Sequence, residues 1–325
     1  MNQQHEALKK FPSQIEFAVN HYSEHGLKAE QFSNLVIGGL GGSGIGGRIT
    51  RSLFVNEFPI PVECIADYSF PKYVNEKTLV ILASYSGNTE ETLQMYEEVK
   101  ALGCKVIVLT SGGKLKELAE SDHLKVYQIE EGFQPRMALG FSLTYLIRVF
   151  GELLGKEVKT PLLEVAKKLS NPSHYEEDAK QAFHSIRGKI GKKFVVVTDA
   201  LTEPLGIRFC QQIQENAKHE CFIHVIPEMN HNVIESYYGQ MESVYFFIHT
   251  NFNERVGSRF DFLNNLLEVE NNKIIPVLMD EFTISSVYQT IHTLDWLSLY
   301  VADFRRVDSL NVPNIASLKE FLSQV

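Results

Sequence analysis

Short runs of β-branched and other apolar residues alternate with longer amphipathic stretches along the whole chain. Strands that alternate with helices are typical of βαβ units, in which helices cover both faces of a parallel sheet. The pattern therefore predicts an α/β protein. Its strands are predicted at Leu35–Gly38, Val62–Ala66, Leu79–Ser84, Val106–Thr110, Lys125–Ile129, Phe194–Thr198, Phe222–Ile226, Val244–His249 and Ile274–Leu278.

The amphipathic stretches predict helices, and one segment predicts a domain boundary. Thr89 precedes two glutamates, which is the pattern of an N-cap followed by an acidic first turn. The segment Gly155–Asn171 contains lysine and proline and predicts a linker, so we expect one domain at 1–154 and a second at 155–325. The main helices are predicted at Thr89–Leu102, Arg136–Leu154, Leu205–Lys218, Glu254–Glu270, Ser285–Arg306 and Ile315–Leu322.

The composition narrows the class of protein. The 325 residues carry a net charge of −9 and no basic block of the kind that follows phosphates, so no nucleic-acid partner is expected. The longest apolar runs have strand length, and the first residues lack a signal-peptide pattern, so neither a membrane span nor secretion is predicted. None of the four cysteines belongs to a C-x-x-C pair. Two disulfides stay possible, but a reduced, cytoplasmic chain is the simpler interpretation.

Seven glycines lie in the ten residues from Gly38, which ends the first predicted strand, to Gly47. Glycine lets the backbone approach a ligand closely, and the N–H groups at a helix N-terminus attract an anion. Gly42-x-Gly44-x-x-Gly47 also fits the dinucleotide-binding fingerprint, with Asp67 about where a ribose-binding acid would lie. The loop by itself therefore predicts an anion site and leaves open whether the anion is a phosphate or a dinucleotide.

A second loop, Ser84–Thr89, favours a phosphate monoester. It follows a predicted strand, ends at a predicted helix and contains three hydroxyl side chains and a glycine. Hydroxyls and backbone amides can together hold the three oxygens of a phosphate. No lysine occupies the P-loop position and no aspartate follows to hold Mg²⁺, which disfavours nucleoside triphosphates.

Taken together, the motifs resemble those of a known enzyme family. Gly41–Gly47 and Ser84–Thr92 are similar to the two loops of sugar-isomerase (SIS) domain proteins. Further motifs resemble the bifunctional phosphoglucose/phosphomannose isomerases over nearly the whole chain. They are Gln134–Gly140, Glu215–His219, Pro227–Asn232, Asp295-Trp296 and Leu318-Lys319.

This resemblance implies two SIS domains, each a parallel β-sheet flanked by helices in a flavodoxin-like αβα sandwich, and a tight homodimer. It implies that a sugar phosphate is the substrate. Glucose 6-phosphate, and mannose 6-phosphate as well, would interconvert with fructose 6-phosphate through a cis-enediol. Such a reaction needs a base, a ring-opening acid and positive charge near the enediolate, and in principle no metal or other cofactor. The sequence has no H-x-H or H-E-x-x-H spacing for zinc.

The resemblance also assigns the site residues. Glu215 would be the base, and it lies at the C-terminal end of a predicted helix beside Asn216, Lys218 and His219. His231 would open the ring from the neighbouring subunit, and Lys319 would contact the ring. Arg136 starts a predicted helix, where a cation costs about 0.3–1 kcal/mol, which suggests a compensating anion. The predicted phosphate-binding residues are Gly42, Ser43, Ser84, Ser86 and Thr89.

Two other functions stay open on the sequence. A regulatory SIS protein would bind a sugar phosphate without catalysis, and it would need the two loops but no base. Glu215, His231 and Arg136 together therefore favour an enzyme. An NAD-binding Rossmann enzyme is the second alternative, and NADH absorbance would reveal it. The preferred epimer, glucose or mannose 6-phosphate, is left undecided.

Overall fold

A computed structural model describes residues 3–237, 242–269 and 271–324. Within these ranges the chain forms nine strands, and each predicted strand is confirmed to within one residue at either end. The strands are β1 (Asn34–Gly38), β2 (Val62–Ile65), β3 (Thr78–Ala83), β4 (Lys105–Thr110), β5 (Lys125–Gln128), β6 (Lys193–Asp199), β7 (Cys221–Ile226), β8 (Ser243–Thr250) and β9 (Lys273–Met279).

The predicted helices are confirmed, with ends that differ by up to about three residues, the usual uncertainty of a helix terminus. None of the described helices is long and apolar enough to cross a membrane. They are α1 (Gln3–Lys9), α2 (Phe11–Asn20), α3 (Gly41–Leu53), α4 (Glu90–Ala101), α5 (Gly113–Ser121), α6 (Leu139–Leu154), α7 (Lys159–Leu169), α8 (Glu176–Ile186), α9 (Glu203–Ala217), α10 (Val233–Ser236), α11 (Glu254–Leu267), α12 (Ile284–Arg305) and α13 (Pro313–Leu322).

The segment predicted as a linker is mostly helical. Helix α7 occupies most of Gly155–Asn171, and its apolar face is buried. The buried residues recur at intervals of three and four, which is the helical period that the lysines and the proline obscured. They are Leu162, Val165, Ala166 and Leu169.

The strands form two parallel sheets. Sheet A has the order β2-β1-β3-β4-β5, and sheet B has the order β7-β6-β8-β9. The first four strands of sheet A and the four strands of sheet B are arranged in the same order, with the second strand of each unit at one edge. By this order β1 corresponds to β6, and β3 corresponds to β8. The central strands β1 and β3 are buried along their length, and β6 is buried from Phe194 onward, as expected of parallel strands covered on both faces.

The chain divides into two compact units. The N-terminal unit consists of Lys9–Asn171 and Thr283–Tyr288, and the C-terminal unit consists of the described parts of the remaining chain. The first helix belongs to the C-terminal unit, where His5 Nε2 lies 2.9 Å from Asp303 Oδ2. In the N-terminal unit, the hydroxyls of Thr144 and Tyr288 lie 2.6 Å apart. The predicted domain division after residue 154 stays a prediction.

Candidate active site

The two loops predicted to bind phosphate lie together at one edge of sheet A. β1 and β3 are neighbours, with Gly38 paired to Leu82, so their carboxyl ends meet at the same edge. The glycine loop follows β1, and the hydroxyl loop follows β3. They are joined by a hydrogen bond of 3.0 Å from the backbone N–H of Tyr85 to Ser43 Oγ.

The hydroxyls of the second loop are partly engaged with one another. Ser84 is buried, and its Oγ lies 2.8 Å from Thr89 Oγ1. Ser86 is exposed, and its Oγ accepts the Asn88 N–H at 3.2 Å. Thr89 occupies the N-cap position of α4, as predicted, but its side chain makes no capping bond. The predicted N-cap position is therefore correct, but the predicted capping hydrogen bond is absent, because the Thr89 hydroxyl pairs with Ser84 instead.

Two glycines are required by close contacts in these loops. Gly87 has a φ of +64°, and a Cβ there would overlap the carbonyl oxygen of Gly112. A Cβ on Gly42 would lie 3.0 Å from the carbonyl oxygen of Pro135 and 3.2 Å from the Cα of Arg136. Glycine at position 42 thus lets the backbone of Arg136 lie directly against the glycine loop.

Arg136 lies before a helix rather than at its start. It belongs to a 3₁₀ turn, Pro135–Met137, and α6 begins three residues later, at Leu139. The prediction that Arg136 starts a helix is therefore wrong, and the helix dipole does not by itself indicate an anion at this residue. The Arg136 residue is 4% exposed, and Gln14 Nε2 holds the turn by donating to the Met137 carbonyl at 2.7 Å. Arg136 is therefore a buried cationic residue whose backbone lies against the glycine loop.

Tyr85 is a site residue that the sequence analysis missed. Its phenol donates to the Glu130 carbonyl at 3.1 Å and accepts the Phe133 N–H at 2.9 Å, which fixes the segment leading to Arg136. Burial raises the pKa of Tyr85, so the phenol keeps its proton for donation. An aromatic hydroxyl between Ser84 and Ser86 was the available signal, but its partners lie about 45 residues away.

Glu215 lies in the last turn of α9, as predicted, and is half-buried. The following residue fixes the helix end, because Asn216 Nδ2 donates to Ser298 Oγ on α12 at 2.9 Å. Ser298 in turn donates to the Asp295 carbonyl at 2.6 Å. About two turns earlier in α9, the buried Arg208 forms an ion pair of 2.7 Å with Asp295 of α12.

His231 and Lys319 lie on two other elements of the C-terminal unit. His231 is exposed and ends the 3₁₀ turn that follows β7, in agreement with the expectation that it is not a core histidine. Its neighbours hold the turn, since Asn230 Oδ1 accepts from Arg259 Nη1 at 3.1 Å and Asn232 Oδ1 caps α10. Lys319 is exposed on α13, a helix with no buried residue.

Glu215 and His231 lie toward opposite edges of sheet B. The residue before Glu215 contacts the start of β7, because Gln214 Nε2 donates to the Cys221 carbonyl at 2.8 Å. His231 follows the other end of the same strand, beyond Ile226. Five residue steps of a parallel strand span about 16 Å. The C-terminal unit by itself therefore holds these two candidate residues near different edges.

Sheet B has no counterpart of the phosphate loops, and a carboxylate fills the corresponding position. Asp199 ends β6, the strand that corresponds to β1, and Thr250 ends β8, which corresponds to β3. Asp199 Oδ1 accepts from the N–H and hydroxyl of Thr202 at 2.7 and 2.9 Å. Asp199 Oδ2 accepts from the N–H and hydroxyl of Thr250, both at 2.8 Å. Two hydroxyls and two amides that could hold an external anion are thus occupied by the chain's own carboxylate.

The N-terminal unit therefore carries the arrangement suited to an external anion. It combines backbone amides at the starts of α3 and α4, the hydroxyls of Ser43, Ser86 and Thr89, and the charge of Arg136. Over the described ranges, no group of three or more His, Cys, Asp or Glu side chains is placed to hold a metal ion.

Comparison with protein-family models gives two matches that together cover most of the chain. The model of the SIS domain matches residues 31–139. The model of the bacterial phospho-glucose isomerase C-terminal SIS domain matches residues 175–322. Both sheets, the two loops of sheet A and the whole of α13 thus lie within SIS-type sequence.

Individual relatives agree. The bifunctional phosphoglucose/phosphomannose isomerase of Caldicellulosiruptor bescii is 35% identical, over 98% of this chain and 99% of that protein. The D-glucosamine-6-phosphate 4-epimerase of Sulfolobus acidocaldarius is 37% identical, over 62% of this chain and 63% of that protein. Among solved structures, the C-terminal domain of glucosamine-fructose-6-phosphate aminotransferase from Francisella tularensis superposes with a TM-score of 0.70. It is 13% identical over 94% of this chain and 97% of that one, so it supports the fold alone.

Proposed function

The chain belongs to the family of bifunctional phosphoglucose/phosphomannose isomerases, and we propose that it interconverts glucose 6-phosphate and mannose 6-phosphate with fructose 6-phosphate. The observation that carries this proposal is the junction of the two loops with Arg136 in the N-terminal unit. It supplies hydroxyls, amides and one cation at a single edge of a sheet, which is the chemistry that a phosphate monoester requires.

We propose that Ser43, Ser84, Ser86 and Thr89, with the backbone at Gly42, bind the substrate phosphate. Neutral donors suit a group that stays bound unchanged through the reaction. Their contacts act equally in the ground state and the transition state and so set affinity rather than rate. The bond between Ser43 and Tyr85 supports this role, because it holds the two loops in one arrangement before a ligand arrives.

The reaction moves a proton between C1 and C2 through an enediol. In this proposal Glu215 takes the proton from one carbon and returns it to the other, while His231 opens the sugar ring. In the same proposal the charge of Arg136 stabilises the negative oxygen of the enediolate, and Lys319 binds the sugar ring. Buried Arg136 and the anchored end of α9 support these roles, since both groups are held in fixed positions.

We propose that the active form is a homodimer in which His231 comes from the partner subunit. Glu215 lies near the start of β7, whereas His231 of the same chain follows the end of that strand. This separation supports the arrangement, since a second copy of the chain can supply its own His231 to the site of Glu215. Helix α13 also exposes apolar side chains that a partner could cover, with Leu318 56% and Phe321 63% exposed. A cytoplasmic location fits the four free cysteines.

A regulatory SIS protein and the 4-epimerase activity of one relative are the competing functions. The decisive assay follows glucose 6-phosphate, mannose 6-phosphate and fructose 6-phosphate by enzyme-coupled detection, with glucosamine 6-phosphate as the comparison substrate. The proposal expects turnover of at least one aldose phosphate to fructose 6-phosphate, undiminished after prolonged EDTA treatment. Binding without turnover would favour a regulator, and turnover of the amino sugar alone would favour an epimerase.

A further inference from the structure

Two buried cysteines face each other beside the end of the helix that carries Glu215. Cys210 lies in α9, and Cys221 is the first residue of β7. The thiol of Cys221 donates toward Cys210 Sγ at 3.3 Å. Cys210 is 5% exposed and Cys221 is 4% exposed. A disulfide bond is about 2.05 Å long, so the sulfur atoms need to approach by about 1.2 Å to be bonded.

The connection between the two cysteines is anchored at several points. Gln214 donates to the Cys221 carbonyl at 2.8 Å, and Arg305 Nε donates to the Ala217 carbonyl at 2.9 Å. Lys218 turns the chain with a φ of +51°. Because these contacts hold the end of α9 against the start of β7, the two thiols are neighbours in the native structure.

We propose that Cys210 and Cys221 form a modification site, at which a peroxide or a low-molecular-weight disulfide produces a reversible bond that cross-links α9 to β7. With hydrogen peroxide, one thiolate attacks a peroxide oxygen and becomes a sulfenic acid, and the other oxygen leaves as water after taking up the thiol proton. The second thiol then displaces the sulfenic hydroxyl, which leaves as a second water. Two thiols are oxidised and one peroxide is reduced, and a dithiol reverses the bond by exchange.

The remaining cysteines provide internal comparators. Cys64 and Cys104 are partly buried and belong to the N-terminal unit. Burial raises the pKa of the Cys221 thiol and, to about 11, that of Cys64. Since the thiolate is the reactive form, oxidation of the pair should be slow. Opening at β7, an edge strand of sheet B, gives the oxidant its access.

The closed loop contains Glu215 and Asn216, so the bond acts on the candidate base. A displacement of about 1 Å at a reacting group can lower the rate by about 100-fold. The cross-linked form should therefore turn over sugar phosphate about 10- to 100-fold more slowly, with full recovery in dithiothreitol. This expectation, unlike the bond itself, rests on the proposed function.

The test uses the whole reduced protein, treated with hydrogen peroxide, alkylated, digested without reductant and mapped by mass spectrometry. We expect one linked pair of peptides that joins residues 210 and 221 and disappears in dithiothreitol. Cys210→Ser should abolish the link, and Cys104→Ser should leave it. The map of the unmutated protein decides the question even if the Cys210 variant fails to fold.

Absence of the link after prolonged oxidation, or a bond that uses Cys64 or Cys104 instead, would overturn the modification site. Activity is measured on the same samples. A reduced protein without turnover would reject the proposed function while leaving the peptide map decisive for the bond. A cross-linked protein that keeps its full turnover would overturn the effect on Glu215.

Discussion

The backbone N–H of Tyr85 donates to Ser43 Oγ at 3.0 Å, and this bond joins the two loops that follow β1 and β3. The phenol of the same tyrosine fixes the segment before Arg136, through Glu130 and Phe133. One residue thus connects the glycine loop, the hydroxyl loop and the cation. The segments of the proposed phosphate site are thus connected by hydrogen bonds through this residue.

Removing one phosphate-binding hydroxyl should weaken substrate binding with little change in turnover. Ser86→Ala and Thr89→Ala each delete a donor to a charged group, which contributes about 1.5–3 kcal/mol, so KM should rise about 10- to 100-fold. Steady-state kinetics with glucose 6-phosphate measure this. Ser121→Ala, an exposed serine at the end of α5, is the matched control. An unchanged KM in both loop variants would show that the substrate phosphate binds elsewhere.

Tyr85→Phe should lower kcat/KM although the phenol need not touch the substrate. The change removes the acceptor of the Phe133 N–H and the donor to Glu130, and so loosens the backbone that leads to Arg136. We expect a loss of about 5- to 20-fold, consistent with one or two hydrogen bonds of about 1 kcal/mol. Tyr68→Phe, at an exposed tyrosine of the same unit, is the control. Equal kinetics in the two variants would contradict the positioning role.

The strands and the main helices could be predicted from the sequence because their signals are local, whereas α7 was predicted as a linker. Each strand is a short apolar run between turn residues, and the glycine and hydroxyl loops lie where parallel strands end. The partners of Tyr85 and the bond between Asn216 and Ser298 could not be predicted, since each joins residues far apart in the chain. The capping role of Thr89 failed for the same reason at shorter range, because a serine five residues earlier competes for its hydroxyl.

Asp199 occupies the position in sheet B that corresponds to the phosphate loops of sheet A, and its removal should lower the stability of the protein. Its carboxylate accepts four hydrogen bonds in a buried position. Asp199→Ala leaves these donors unsatisfied and should lower the free energy of unfolding by about 2–4 kcal/mol. Asp199→Asn, which keeps one acceptor, should cost less. Urea unfolding measures both, with the exposed Asp261→Ala as the control. An Asp199→Ala protein as stable as the control would contradict this account.

His292 should make stability depend on pH. Burial lowers its pKa to about 3, whereas an unfolded histidine has a pKa of about 6.5. Between pH 6.5 and 3 the unfolded chain binds a proton at His292 that the native state does not bind. The contribution of His292 to the free energy of unfolding is therefore complete above pH 6.5 and is lost as the pH falls toward 3. Between pH 7.5 and 5 the loss from this group is about 2 kcal/mol.

His292→Gln separates this contribution from that of the carboxylates. Glutamine keeps an acceptor for Trp296 Nε1, which donates to His292 Nε2 at 3.2 Å, but does not titrate. Urea unfolding at pH 7.5 and 5 should show a smaller pH-dependent loss in the variant. Identical losses in the two proteins would mean that His292 is not the titrating group.

In the proposed mechanism Glu215 transfers the proton between C1 and C2 of the sugar. Glu215→Gln keeps the size and hydrogen-bonding capacity of the side chain but cannot accept a proton from carbon. kcat should therefore fall by about 10²–10⁴ with little change in binding. Glu203→Gln, at the other end of α9 and also half-buried, is the matched control and should retain activity.

The most direct measurement is hydrogen exchange at C2 of glucose 6-phosphate in deuterated water, followed by NMR or mass spectrometry. It reads proton removal from carbon and does not require the overall reaction to be fast. The wild type and Glu203→Gln should incorporate deuterium, whereas Glu215→Gln should incorporate it at least about 100-fold more slowly. Exchange at the wild-type rate in Glu215→Gln would show that another residue is the base and would contradict the proposed site.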